Sequence, residues 1–438
     1  MSAASLIDAL SAIHPKGYDL SLGRIERVLH LLGNPQTRIP PAIHVAGTNG
    51  KGSTTAFCRA ILEAAGKTVH VHTSPHLVNW HERYRIGAAG GGKLVSDALL
   101  EKTIARVAKA NDGAPITVFE ILSAVMFVLF SEHPADYSIV EVGLGGRFDA
   151  TNVIDSPLVA VITSIALDHM AYLGDREELI AFEKAGIMKP ARPVVVALQR
   201  NSVRDVLETI AHQRGSPAFF SGQDFSFHQQ GGRFVYQDEF GLLDLPLPRL
   251  RGAHQLGNAA TAIAALRYAE LGLPDHAFES GMETVRWPGR MERLKTGPLQ
   301  ALAPANAELW IDGGHNPAAG KVIASELANL EERASMPLFM IVGMLQTKDP
   351  SGFFQAFEGL VKRVFTVPIH DSEQAFSPRS LARLAQKCGL KAHACKSVGD
   401  ALSTIAAIPA SGEACRILVC GSLYLVGAVL SDNNEAPE

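Results

Sequence analysis

The chain has 438 residues, 47% of them hydrophobic and 19% charged. Single cores stop growing near ~250–300 residues, so this length implies two domains, and the apolar fraction excludes a mostly disordered chain. Forty basic against 44 acidic residues leave a net charge of −4, which gives no global attraction to phosphate backbones or anionic lipid and argues against nucleic-acid or membrane partners.

In chain order, Leu6, Ile7, Leu10 and Ile13 recur at helical spacing, with Asp8 interrupting the apolar stretch, so the N-terminus reads as a helix and not as an export signal. The longest apolar runs, residues 116–130 and 417–430, fall short of the ~20 needed for a membrane span, and the first carries Glu120. A cytoplasmic protein is expected. Cys58, Cys388, Cys395, Cys415 and Cys420 are odd in number and lack CxxC spacing, so reduced core residues are expected, neither a disulfide framework nor a structural zinc.

Short β-branched runs at 42–45, 68–72, 138–142, 159–165 and 194–197 alternate with helical patterns, which predicts a mostly parallel α/β sheet with helices on both faces. Residues 218–245, aromatic and glycine-rich, predict an antiparallel hairpin excursion, and a helix is predicted over 256–271. The Trp287-Pro288-Gly289-Arg290 cluster, followed by Gly297-Pro298, reads as a linker. The expected division is therefore 1–287, a linker at 288–298, and 299–438. The last part repeats the alternation, with strands predicted at 309–311, 338–342, 364–367 and 417–420, and a frayed polar tail at 431–438.

The most informative segment is IHVAGTNGKGST, residues 43–54. A strand enters a glycine turn and leaves as a helix. Glycines let backbone N–H groups curl around phosphate, the helix N-terminus adds positive potential, and Lys51 supplies a cation. Thr48, Asn49, Gly50, Lys51, Gly52 and Ser53 thus form a candidate ATP-phosphate cradle, although Gly52 separates Lys51 from the hydroxyl of Ser53, unlike the common P-loop. A tight turn without ligand is the alternative.

Other polar groups stand at neighbouring strand ends, where open α/β sheets bind ligands: Ser74 after 68–72, Glu141 after 137–140, and Asp168-His169 after 159–165. Such carboxylates suit a hard cation bridging phosphates. His70, His72, His76 and His81 invite a zinc site, but packed histidines are the better reading because no cysteine or carboxylate completes one. From spacing alone, Lys184, in the segment EKAGI at 183–187 near a helix end, reads as a surface lysine paired with an acid one turn away. In the last part, Asp312 and His315 precede Pro317, a helix-starting residue, and Lys348-Asp349 end the next strand, where a solvated salt bridge is a fair alternative.

Together the segments DLSLGRIER (19–27), HVAGTNGKGST (44–54), TSPHL (73–77), TVFEIL (117–122), VEVGLGGRFDATNV (140–153), EKAGI (183–187), DGGHNP (312–317) and GMLQTKD (343–349) resemble the folylpolyglutamate synthase and dihydrofolate synthase family, within the Mur ligase superfamily. The resemblance spans nearly the whole chain. It implies a P-loop-type, mostly parallel N-terminal sheet domain that binds Mg-ATP, and a smaller Rossmann-like C-terminal α/β domain that closes upon it. Carried over, the cradle with Asn258, Arg290 and Asp312 holds the nucleotide, and Ser74, Glu141 and His169 hold Mg²⁺. Lys184 becomes a carbamylated lysine, a monovalent cation is a further candidate, and Lys51, Lys184 and His315 are the catalytic candidates. Asp19, Leu20, Ser21, Leu22, Phe119, Glu120, Arg147, Phe148 and Asp149 match the family's folate-substrate region, although an aromatic on a helix face is ordinarily core.

The implied reaction joins L-glutamate to dihydropteroate or to folylglutamates at the expense of ATP, through an acyl phosphate, in a monomeric enzyme. Folylpolyglutamate synthesis alone, or a Mur-type ligation of a peptidoglycan precursor, are the alternatives within the superfamily; an ATP-gated binding protein is the alternative outside it.

Overall fold

The computed structural model describes residues 3–13, 21–369, 374–408 and 414–437. Three sheets organise them. The first has eight strands, in the order Lys93–Leu94, Tyr84–Ile86, Val69–His72, Tyr137–Glu141, Ala42–Ala46, Val159–Ile162, Val194–Val196 and Ala218–Phe220. The six from Val69–His72 to Ala218–Phe220 are parallel, and Tyr84–Ile86 and Lys93–Leu94 close the other edge antiparallel. Ala42–Ala46, the strand that feeds the glycine loop, is central and buried along its whole length, as a parallel strand covered on both faces should be.

Helices supply those covers. Lys51–Ala64, Ala253–Tyr268 and Asp275–Thr284 pack on one face, where the alanine-rich second helix lets backbones approach closely. On the other face lie Gly23–Leu31, Asp97–Asn111 and Val118–Glu132. The apolar run at 116–130 is this last helix, buried on almost all sides, which is why it lacks an amphipathic pattern. Its start is a capping box: the Thr117 hydroxyl accepts from the Glu120 amide at 3.2 Å, and Glu120 accepts from the Thr117 amide at 2.7 Å.

The aromatic excursion is a three-stranded antiparallel meander of Phe225–Gln230, Arg233–Asp238 and Gly241–Pro246. Ala218–Phe220, expected within it, instead extends the large sheet. The third sheet runs Glu292–Leu294, Ala307–Ile311, Cys415–Cys420, Leu338–Val342, Arg363–Thr366 and Ala392–Ala394, parallel except for the first strand. Its two faces carry separate cores. The stretch read as a linker therefore holds a strand of this sheet.

Two sequence expectations are corrected. The strand expected over 159–165 stops at Ile162, because the chain then turns to hold the glycine loop: the Ser164 carbonyl accepts from the Thr48 and Asn49 amides at 2.8 and 3.1 Å. The C-terminal segment is tied down and not frayed. Helix Leu423–Asp432 passes into Asn433, which is 1% exposed, accepts from the Leu299 amide at 3.0 Å and donates to the Thr296 carbonyl at 2.8 Å. Leaving two buried backbone groups unpaired costs about 1–3 kcal/mol each, so Asn433→Ala is expected to lower the urea midpoint of the protein clearly; an unchanged midpoint would show the tail to be dispensable.

Candidate active site

A cavity of about 1340 Å³ opens between the large sheet and the C-terminal sheet, and all six cradle residues line it. The loop from Gly47 to Gly50 is held from outside. Thr48 Oγ1 donates to the Ala166 carbonyl at 3.0 Å and accepts from the Ala166 amide at 3.2 Å, and Thr163 Oγ1 donates to the Asn49 carbonyl at 2.8 Å. Since the Thr48 and Asn49 amides are engaged by Ser164, the donors left for an anion are those of the helix start. The Lys51, Gly52 and Ser53 amides stand ahead of the first intrahelical bond, Thr54 N to Gly50 O at 2.8 Å. Gly50 has φ +89° and is packed against the Asn258 amide, so a side chain there would be strained and crowded; a Cβ at Gly52 would stand 2.6 Å from the Trp287 indole.

Two ammonium groups converge on one oxygen of this loop. Lys51 Nζ donates to the Gly47 carbonyl at 3.1 Å and to Thr48 O at 3.3 Å, and Lys184 Nζ reaches the same Gly47 carbonyl at 2.8 Å. Lys184 is only 4% exposed. The surface ion pair expected from spacing is thereby overturned: Glu183 turns away to Arg147, at 2.7 Å, while Lys184 points inward at the end of helix Glu177–Lys184. Burial, reinforced by the Lys51 charge, pushes the Lys184 amine down to about 7.

Across the loop stands Glu141, at the end of Tyr137–Glu141 and 5% exposed. Burial pushes its carboxyl up to about 7, against the pull of the Lys51 and Arg290 cations and a hydrogen bond from the Ser74 amide. His169 holds a left-handed backbone, φ +52°, and its imidazole is pushed down to about 4 by burial and by Lys348, so it is neutral at physiological pH. Ser74, Glu141 and His169 all face the cavity.

The C-terminal side contributes the rest. Asp312 shapes its own loop, accepting from the Met291 amide at 2.9 Å and the Gly314 amide at 2.7 Å. His315 has Nδ1 2.9 Å from Gly313 O and Nε2 3.4 Å from Asp168. Asn316 caps helix Pro317–Arg333 and donates across the cleft to Asn49 at 3.0 Å. Asn258 donates to Gln255 at 3.0 Å, and Arg290 to the neighbouring Gly289 carbonyl at 2.9 Å. Lys348 does not form the solvated salt bridge weighed for it. Its side chain is 8% exposed and lies 2.6 Å from Asp168, whereas Asp349 accepts from the Gly352 amide as a helix cap. Burial alone would raise the Asp168 carboxyl, but the His315 hydrogen bond and the Lys348 charge hold it well below the usual range.

Sequence reasoning did not find Trp287, Thr163 or Asn316 in this site, nor a partner for Asp168. Only the glycines opposite Trp287 and the strand-end position of Thr163 carried any trace of it.

Of the residues matched to a folate region, the described ones sit apart from the cavity wall. Asp19 and Leu20 lie outside the described residues; Ser21 and Leu22 precede helix Gly23–Leu31. Phe119 packs its ring on Gly143, and Glu120, besides its cap, bonds Arg24 at 3.1 Å. Arg147 lies over the Phe148 and Phe182 rings at 4.3 and 5.0 Å. Asp149 is buried, accepting from Thr151 Oγ1 at 2.6 Å and the Leu144 amide at 2.9 Å. The loop between them connects this cluster to the cavity, since Gly143 and Gly145 face the cleft. The histidines weighed for zinc each have a separate partner: His70 the His133 carbonyl at 3.0 Å, His72 the Arg83 carbonyl at 2.9 Å through Nδ1, His76 the Arg83 guanidinium at 3.0 Å and His81 the Asp97 carboxylate at 3.2 Å, while His72 Nε2 is buried without one. Among the described residues no three His, Cys, Asp or Glu side chains are grouped to hold a metal by themselves.

Comparison with known proteins bears directly on this arrangement. Residues 45–266 match the Mur ligase middle domain, and residues 294–432 match the dihydrofolate synthetase C-terminal domain. The dihydrofolate synthase/folylpolyglutamate synthase of Bacillus subtilis is 33% identical, over 96% of this chain and 97% of its own. Escherichia coli FolC in complex with DHPP and ADP superposes with a TM-score of 0.87 at 31% identity, covering 98% of this chain and 97% of that one. A bifunctional folylpolyglutamate synthase/dihydrofolate synthase with Mn, AMPPNP and L-glutamate bound gives 0.84 at 32% identity, with 98% of both chains covered. A lysine-bearing glycine loop facing a second α/β unit, matched over both units and at such identity, makes the chain a member of the dihydrofolate synthase/folylpolyglutamate synthase family.

Proposed function

We propose that this chain is an ATP-dependent ligase that joins L-glutamate to the carboxylate of dihydropteroate and, in further rounds, to folylglutamates. The observation that carries the reading is the pairing of the Lys51 ammonium and the open helix N-terminus with buried Glu141 in a cleft between two α/β units. The relatives' names and the nucleotide and L-glutamate bound in their structures support it. The division at 288–298 is part of the same proposal: the second unit closes on the first about that stretch.

A carboxylate resists attack by an amine because its oxygen leaves poorly. Transfer of the γ-phosphoryl group to the acid makes an acyl phosphate, and the glutamate amine then displaces phosphate to form the amide. No side-chain nucleophile is required. Lys51 and the Gly52 and Ser53 amides offset charge growing on the transferring group, Asn258, Arg290 and Asp312 orient the nucleotide, and His315 helps position it once the cleft is closed. Phe119, Arg147, Phe148 and Asp149, with residues 19–22, frame the pterin side.

The donor set fits a divalent cation. Glu141 is a buried carboxylate facing the cleft, His169 is neutral and able to donate a lone pair, and Ser74 adds an oxygen. Mg²⁺ ordinarily completes its shell with phosphate oxygens and water, and when bound it would supply electrostatic stabilisation of the triphosphate. Lys184 fits a carbamate: its lowered pKa leaves a large neutral fraction at neutral pH, and attack of that amine on CO₂ with loss of one proton yields an anion beside Lys51. A monovalent cation, a monomeric state and a cytoplasmic setting belong to the same reading; no helix among the described residues is long and apolar enough to cross a membrane.

Three outcomes test this. With dihydropteroate or a reduced folate plus labelled glutamate, the protein should form a glutamyl amide and ADP, and Lys51→Ala should cut turnover by roughly 10²–10³, the scale of a lost oxyanion contact, with an unchanged circular dichroism spectrum. Nucleotide binding without amide would favour a switch, and a UDP-muramyl product a Mur-type ligase. Second, because Glu141 is raised to about 7, Mg²⁺ competes with its proton below that pH: apparent Mg²⁺ affinity should fall by about tenfold per unit as pH drops under 7, and in Glu141→Gln it should be weak and flat. A wild-type curve that stays flat down to pH 5 removes Glu141 from the metal site. Third, Lys184→Ala should be inactive and partly restored by millimolar acetate or propionate, whereas an active variant would dismiss the carbamate.

A further inference from the structure

The two units touch on opposite sides of the cleft in different ways. On one side the contact is apolar and tight: Leu77 and Val78 pack into the core of the C-terminal unit, and the Leu77 carbonyl fills the space a side chain would need at Gly427. On the other it is polar and centres on Asp168, in the loop after strand Val159–Ile162. Three C-terminal side chains reach its carboxylate. Lys348 Nζ lies 2.6 Å from Oδ1, Asn316 Nδ2 3.2 Å from Oδ2, and His315 Nε2 3.4 Å from Oδ2. Asn316 also bonds Asn49 of the glycine loop at 3.0 Å, so the contact is linked directly to the phosphate cradle.

An apolar contact exposes surface wherever it parts, whereas a pair of charges can exchange its partner for water. Asp168 and Lys348 are each only 8% exposed. Paired, they offset part of the cost of leaving water; a lone buried member would leave that cost uncompensated. Their attraction is therefore strong in the closed cleft and replaceable by hydration when ATP enters. The cores of the two units are separate, so parting this contact leaves each unit folded.

We propose that Asp168 is a positioning residue, the post onto which the C-terminal unit closes: its carboxylate draws in Lys348, His315 and Asn316 and seals the phosphate loop while the acyl phosphate exists. Lys348 thus acts in closure through Asp168. The consequence for chemistry rests on the ligase reading above. An open cleft admits water, which cleaves the acyl phosphate to free acid and inorganic phosphate, so ATP is consumed without amide.

The test uses full-length protein carrying donor and acceptor dyes on exposed positions of the two units, with wild type, Asp168→Asn, Lys348→Met and the double variant. Saturating AMPPNP should bring the dyes together in wild type and much less in either single variant. Amide formation in each should fall roughly tenfold to a hundredfold, the range of coupling through one such contact, while ADP released per amide rises and AMPPNP affinity weakens by no more than that factor, as the reciprocity of closure and binding requires. The double variant should lose no more than the worse single one, because both remove one interaction. Additive losses, or single variants that close and couple like wild type, would overturn the proposal. The dye distance requires only AMPPNP, so a wild type that closes but makes no amide would refute the ligase reading and leave the role of Asp168 to be decided by the variants' closure.

Discussion

Lys51 and Lys184 share one carbonyl oxygen, that of Gly47, at 3.1 and 2.8 Å, and most of the site follows from that crowding. Burial disfavours the charged form of Lys184 and the nearby Lys51 ammonium adds repulsion, so its pKa is lowered. The neighbourhood suits a charged ligand: a helix start with open amides stands on one side, and Glu141, a carboxylate raised by burial despite the nearby Lys51 and Arg290 cations, stands on the other. A triphosphate with its cation would satisfy both, placing anionic oxygens against the lysines and a metal against the carboxylate. The charges and open amides that line the cleft are thus complementary to a triphosphate and its cation.

The scaffold fixes these groups through a few packed contacts. Ala42–Ala46 is central in an eight-stranded sheet, so the loop that follows it is flanked by the ends of Tyr137–Glu141 and Val159–Ile162. That neighbourhood brings Glu141 and the Thr163–His169 loop beside the cradle although they are separated from it by about a hundred residues of chain. The C-terminal sheet supplies the opposite wall from strand ends of its own, Ala307–Ile311 and Leu338–Val342. Ligand-bearing loops at carboxyl ends of parallel strands are the usual product of this architecture; here two such ends face one another.

Much of this was legible because local chemistry and local structure agree. The glycine loop, with its lysine and its helix, could be read from consecutive residues, and Pro317 marked the start of its helix as expected. Strand positions came from β-branched runs, with errors of one to a few residues at their ends. What escaped were features that depend on a partner distant in the chain. Lys184 reads as a surface lysine beside Glu183, and only packing shows that Glu183 belongs to Arg147 while the amine turns to Gly47. The polar composition of the C-terminal segment suggested fraying, yet Asn433 is held by backbone groups of Thr296 and Leu299. Asp149 and Glu120 attract notice as acids, and their carboxylates bond backbone amides.

By itself, the sequence determined the alternation of strands and helices, the glycine loop and the strand-end acids, since each is set by neighbours within a few residues: side-chain period, glycine freedom and helix capping act locally. Tertiary structure alone decided which charges are buried, which cation meets which anion, and how the two units meet at Asp168. Burial and Coulomb energy depend on distance in space and on excluded water, and neither quantity is written in the order of the residues.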